Sequence, residues 1–204
     1  TGGYDPSPYH PDNILVSVGI NDEYYFTNHS ERIDDGCYHN IQSILDKTTL
    51  LVGHNIKFDL MWLIEAGFKY TGKVYDTMLG EYILNRGIRK SLTLEMSCRR
   101  RRIGSKDNRI KEFTDRGIPF QNIPANVVEE YGRMDVQITR DLFNSQMADF
   151  RMPKNKHLLM TAKMMNEFLI VLADMEANGI NINLEDLSKV EKEYRAEFAY
   201  LKQK

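Results

Sequence analysis

No apolar run in this 204-residue chain approaches the ~18 residues that a membrane-spanning helix needs. The longest, Phe168–Ala173, suits only a core. Cysteine is scarce: Cys37 and Cys98 are the only two, with neither a CxxC pair nor a histidine at metal-ligand spacing. That argues against a disulfide scaffold and a zinc site, and for two reduced thiols in a cytosolic protein. No internal repeat or low-complexity tract occurs. An excess of one charge is missing as well: 27 basic and 29 acidic residues give a net charge of −2, so no global basicity advertises nucleic acid. The first residues, Thr1-Gly2-Gly3-Tyr4-Asp5-Pro6, have no Met and no signal-peptide pattern. They are turn chemistry, and the expectation is a chain that begins partway through a domain. What is present is ordinary for a globular protein, 42% hydrophobic and 27% charged. The length fits one domain and a piece of a second.

The charge is unevenly spread. Arg86–Lys111 carries ten basic residues against Glu95 and Asp107, a window of +8, which leaves −10 on the remainder. A basic segment on an acidic body is a candidate phosphate-contacting element or a solvated loop. Its centre is the run Arg99, Arg100, Arg101 and Arg102.

Alternating Ile14, Val16, Val18 and Ile20, the turn pair Asn21-Asp22 and the segment Glu23–Thr27 predict a β-hairpin. Cys37–Lys47 reads as a helix, Thr48–Val52 as a strand and Asn55–Ala66 as a helix stopped by Gly67. Val74-Tyr75 is a brief strand, and Asp76 is an N-cap for a helix through Leu84. Ser91–Cys98 is a short helix and Gly104–Pro119 a polar loop. Pro124 opens a long helix over 125–150, with Val127, Tyr131, Met134, Ile138 and Leu142 as its apolar stripe. Lys156–Asn178 follows, ended by Gly179, and Asn183 caps a last helix with Leu187, Val190, Tyr194, Phe198 and Leu201 on one face. The order is α/β, with a division at Pro153 and a purely helical remainder.

Two i, i+4 pairs place polar chemistry on helix faces: Asn55 with Asp59 after a buried strand, and Tyr131 with Asp135 beside an apolar stripe. A carboxylate there wants a cation, a hydrogen-bond partner or a proton.

The segment GHNIKFD, Gly53–Asp59, resembles the second motif of the DnaQ-like 3′–5′ exonucleases. YGRMD, Tyr131–Asp135, resembles their third, Tyr-x-x-x-Asp. Between them YDTMLGEYIL, Tyr75–Leu84, is similar to the corresponding stretch in the proofreading domains of bacterial DNA polymerase I and its phage relatives. LADMEANGININLEDL, within Glu167–Leu187, resembles the entry to the polymerase domain of family A enzymes. The resemblance implies a ribonuclease H-like mixed sheet flanked by helices over residues 1–152. It implies the helical start of a polymerase thumb over 153–204.

In that family two divalent ions, Mg²⁺ or Mn²⁺, sit ~3.5–4 Å apart on the scissile phosphate, and hard oxygen ligands suit them. By resemblance Asp135 would hold the ion bearing the attacking water, Tyr131 would orient that water and Asp59 would bind the second ion. Asn55 would touch the substrate near its 3′ end, and Tyr4 would stack on terminal bases. Arg99–Arg102 would contact the backbone of a strand moving between polymerase and exonuclease sites. The expected partners are a single-stranded DNA 3′ end or primer–template DNA and the rest of a polymerase chain. No membrane is expected, and the setting is a bacterial or phage-infected cytoplasm. The family's first motif, Asp-x-Glu on the first strand, would fall just before Thr1. The expectation is therefore a partial sequence with its first strand missing and with little or no hydrolysis by the chain as written. The competing readings are an RNase D- or Werner-type exonuclease of the same fold and a non-catalytic DNA-holding domain.

Overall fold

A computed structural model describes residues 7–104 and 109–202. Strands β1 (Ser17–Ile20) and β2 (Glu23–Phe26) form an antiparallel hairpin, Ser17 opposite Phe26 and Ile20 opposite Glu23. Asn21 turns the chain at φ 54°, a left-handed conformation that Asn tolerates. The apolar alternation begins at Ile14, but the ladder begins only at Ser17. Upstream, the Val16 carbonyl accepts from the backbone N–H groups of Thr27 and Asn28. The Leu15 carbonyl accepts from the Thr27 hydroxyl and the Asn28 side-chain amide. Side chains and a turn thus take the backbone groups that a longer strand would use.

Helix α1 (Cys37–Lys47) matches its sequence prediction and buries Cys37, Ile41 and Leu45 along one stripe. Strand β3 (Leu50–Gly53), helix α2 (Ile56–Glu65) and strand β4 (Lys73–Asp76) form a parallel βαβ unit, Leu51 opposite Val74 and Gly53 opposite Asp76. Leu51, Leu60, Leu63, Phe68 and Val74 join the α1 stripe in one core. Helices α3 (Thr77–Leu84) and α4 (Leu94–Arg101) follow, capped by the side chains of Asp76 and Thr93.

Antiparallel and parallel pairing are both present, as a mixed sheet requires. Among the described residues, however, the four strands form two separate pairs, β1-β2 and β3-β4.

The expected loop Gly104–Pro119 is corrected in part, because α5 (Arg109–Asp115) lies within it. Ile110 is buried with Phe26, Ile123 and Val128, and Phe113 packs against them. This tertiary burial overrides the polar composition. A 3₁₀ turn, Phe120–Asn122, leads into α6 (Ala125–Arg151). Helix α6 crosses the hairpin closely. A Cβ on Gly132 would lie 2.3 Å from the Tyr24 ring, and one on Gly19 would lie 3.1 Å from both Tyr24 and Val136. Tyr24 cannot yield easily, because its hydroxyl bonds Ser17 Oγ (2.8 Å) and the Val128 carbonyl (3.3 Å). Gly132 therefore sets how near α6 sits to the hairpin.

The first compact unit runs through Ala173. It includes the start of α7 (Leu158–Asn178), whose Ala162, Asn166, Leu169 and Ala173 are buried, so it extends past the division expected at Pro153. The second unit, Asp174–Lys204, holds α8 (Leu184–Lys202). Asn183 caps α8 by accepting from the Glu185 N–H at 3.1 Å, and Leu187, Val190, Tyr194 and Phe198 are all exposed. Among the described residues no helix is long and apolar enough to cross a membrane. Cys37 and Cys98 are free and buried, and burial pushes the Cys98 thiol up to about 11, so it stays protonated.

Candidate active site

Asn55 is the N-cap of α2 and sits at φ 64° without capping through its own side chain. The loop before it is held from outside. The Asn55 N–H donates to Asp76 Oδ1 at 2.9 Å, and the same oxygen caps α3 by accepting from the Met78 N–H at 2.8 Å. His54 bridges Thr77 Oγ1 (2.9 Å) and the Leu92 carbonyl (2.8 Å), which ties the loop to α3 and to the segment before α4. The Thr77 hydroxyl donates to the Gly53 carbonyl at 3.0 Å. A Cβ on Gly53 would lie 2.4 Å from the end of the Ile56 side chain and 3.1 Å from its Cβ, so a larger residue here would have to displace Ile56. Asp76 is itself fixed, its N–H donating to Asn166 Oδ1 at 2.6 Å. The result is an exposed, oriented Asn55 and, one turn on, Asp59.

Helix α6 brings Tyr131 and Asp135, both half-buried, one turn apart. Gly132 lies between them, so the close approach to Tyr24 fixes the same turn that carries the motif. Burial among the surrounding chain, opposed by a backbone hydrogen bond and reinforced by the charges of Asp76 and then Asp135, pushes the Asp59 carboxyl up to about 7. By surface area Asp59 is exposed, so it is the mass of chain packed around its carboxyl, not enclosure from water, that raises it. The Asp59 carboxyl thus lies within electrostatic reach of both Asp76 and Asp135. Among the described residues no three His, Cys, Asp or Glu side chains converge as a metal cluster. The donors present are all carboxylates, the set that hard cations such as Mg²⁺ and Mn²⁺ take.

The raised carboxyl has a sign that can be checked. Folded Asp59 holds its proton up to about pH 7, whereas an unfolded Asp releases it near pH ~3.9. The stability it contributes is complete below about pH 4 and is lost as pH rises towards 7. Thermal melts of the protein and of Asp59→Asn should therefore diverge across this window, the wild type falling relative to the variant. Parallel curves would contradict the assignment.

The arginine run divides in two. Arg100 donates to Glu81 Oε2 at 3.1 Å and to the Ser91 carbonyl at 2.7 Å. Arg101 pairs with Glu81 and donates to Asp149 Oδ2 at 2.6 Å and Ser145 Oγ at 3.0 Å. Those two guanidinium groups bind α4 to α3 and α6. Arg99 and Arg102 are exposed. Tyr4, expected to stack on bases, lies outside the described residues, as does Lys106 of the basic window.

Sequence reasoning read Asp76 only as a helix cap and missed its second bond to Asn55. That bond spans 21 residues and leaves no local signal in the sequence.

A βαβ unit presenting one acid and a long crossing helix presenting the other define a mixed α/β nuclease domain of the ribonuclease H-like kind. The sequence model of the 3′–5′ exonuclease family matches residues 2–148, and the chain belongs to that family. It is 26% identical over 145 residues to DNA polymerase I of Borreliella burgdorferi, a match covering 71% of this chain and 15% of that polymerase.

Proposed function

We propose that this chain is the proofreading module of a DNA polymerase of the polymerase I type, removing nucleotides from single-stranded DNA 3′ ends by metal-assisted hydrolysis in the cytoplasm. The reading is supported by the match of residues 2–148 to the 3′–5′ exonuclease family, with Asp59 and Asp135 on separate elements and the Asp59 carboxyl within electrostatic reach of Asp135. Asp59 and Asp135 would hold Mg²⁺ or Mn²⁺. When bound, such ions supply charge stabilisation at the phosphate and a water acidic enough to attack. Tyr131, one helical turn before Asp135, would orient the attacking water through its hydroxyl. Asn55, locked by Asp76, meets the sugar at the 3′ end. Arg99 and Arg102 contact phosphates of the strand, while Arg100 and Arg101 stay with Glu81.

The test uses the chain extended upstream by a strand bearing Asp-x-Glu. With Mg²⁺ it should release mononucleotides from a free 3′ end of single-stranded DNA and spare a 3′-blocked one. Release from 5′ ends, or action on RNA alone, would overturn the reading.

A further inference from the structure

Helix α2 carries more than the candidate ligand. Asn55, Phe58 and Asp59, Trp62, then Glu65 and Ala66 occupy successive turns of one face. The Trp62 ring meets Phe58 edge to face, centroids 6.4 Å apart. Trp62 also borders a cavity of about 260 Å³ between the end of α2, the start of α1 and residues 8–15. Tyr9, Tyr38 and Trp62 contribute three aromatic rings to its wall, with His10, Asn28 and Glu65 among the polar neighbours. Tyr9 and Tyr38 are 39% and 45% exposed. Tyr38 is held in plane by stacking on Phe68, centroids 5.2 Å apart at 12°.

The volume is just under that of a small-molecule pocket, roughly 300–1,000 Å³, which suits one planar ring and not a long ligand. Among the described residues no lysine or arginine lines it, and Glu65 would repel a phosphate. The chemistry selects an uncharged aromatic ring system whose phosphates lie elsewhere.

We propose that this cavity is a base-stacking subsite. It takes the base one or two positions upstream of the 3′-terminal nucleotide, on a single strand whose end lies at Asp59. The inference rests on the function proposed above and adds the path of the strand. Trp62 stands three residues, a rise of ~4.5 Å, from Asp59. Successive bases rise ~3.4 Å, which sets the one- or two-nucleotide offset. Aromatic faces accept any base, so the subsite would grip the strand without reading sequence.

Trp62 is the chain's single tryptophan and reports the contact directly. A fluorescein-labelled oligodeoxythymidylate is titrated into the full chain in EDTA, with anisotropy and Trp62 emission followed together. Trp62 emission should be quenched in step with the anisotropy rise. An abasic site at the second or third nucleotide from the 3′ end should abolish the quench, and one further upstream should not. Trp62→Ala and Tyr9→Ala should each weaken binding by about 5- to 150-fold, with Trp62→Phe restoring most of it. Because the abasic series alters only the DNA, it decides the matter even if a variant fails to fold. Binding with unchanged Trp62 emission and no abasic effect would overturn the subsite and leave the exonuclease reading intact. No anisotropy rise at all would overturn both.

Discussion

Glu81→Ala is expected to destabilise the protein by about 3–5 kcal/mol, the range for removing one partner of a buried ion pair. Glu81 is 3% exposed and serves three donors. Oε1 accepts from Arg101 Nε and from Gln146 Nε2 at 3.1 Å, and Oε2 accepts from Arg100 at 3.1 Å. Without it, Arg100 can turn to water and the Ser91 carbonyl. Arg101, its side chain 14% exposed, is left with Asp149 and Ser145, and its charge is undercompensated. Gln146, fully buried, keeps the Thr77 carbonyl (2.8 Å) and the Tyr75 hydroxyl (3.0 Å). The loss therefore concentrates on Arg101. At about 2–4 °C per kcal/mol for a chain of this size, Tm should fall by roughly 6–20 °C. Glu81→Gln, which keeps an acceptor oxygen, should lose less. Replacing both partners, Glu81→Leu with Arg101→Met, should recover part of the stability, because it removes the excess positive charge along with Glu81, at the cost of leaving the part-exposed Asp149 without Arg101. A double variant as unstable as Glu81→Ala would show that shape, and not charge, is what Glu81 provides.

This network also shows where reading the sequence stops. A window of +8 looks like a surface prepared for phosphate, yet two of its four central arginines, Arg100 and Arg101, are half-buried in ion pairs with Glu81. Their acids stand 20 and 48 residues away from Arg101, a distance no local charge count spans. Local signals did succeed where the cause was local. The 3.6-residue stripe located α1 and α6, and the carboxylate after a short strand marked the cap of α3. Where long-range packing decides, they failed. Helix α5 exists because Ile110 finds Phe26 and Val128, and β1 is short because Thr27 and Asn28 intercept its carbonyls. The candidate site divides along the same line. Its i, i+4 pairs were visible in the sequence. The devices that aim them were not: Asp76 across 21 residues to Asn55, and Gly132 beneath the Tyr24 ring.

Asp135→Asn should reduce release of nucleotides from a 3′ end by about 10²–10⁴-fold in the chain extended with an Asp-x-Glu strand. In the proposed role, losing Asp135 as a ligand would remove several kcal/mol of charge stabilisation at phosphate, at about 1.4 kcal/mol per decade of rate. The same substitution should make the protein more resistant to heat at neutral pH without divalent ions. Asp135 is one of the charges that holds the Asp59 carboxyl high. Removing that charge lets Asp59 ionise more readily and relieves a repulsion present only in the folded state. Activity and stability should thus move in opposite directions, a signature that a damaged fold cannot imitate, since misfolding lowers both. Asp141, also on α6 and bonded to Gln137 at 3.1 Å, is the control: Asp141→Asn should leave the rate within a few fold. The two effects separate further on adding Mn²⁺. The wild-type melt should rise as the cation offsets the Asp59–Asp135 repulsion, and the Asp135→Asn melt should rise far less. Equal Mn²⁺ stabilisation of both proteins, or an undiminished rate in Asp135→Asn, would remove Asp135 from the metal-holding role.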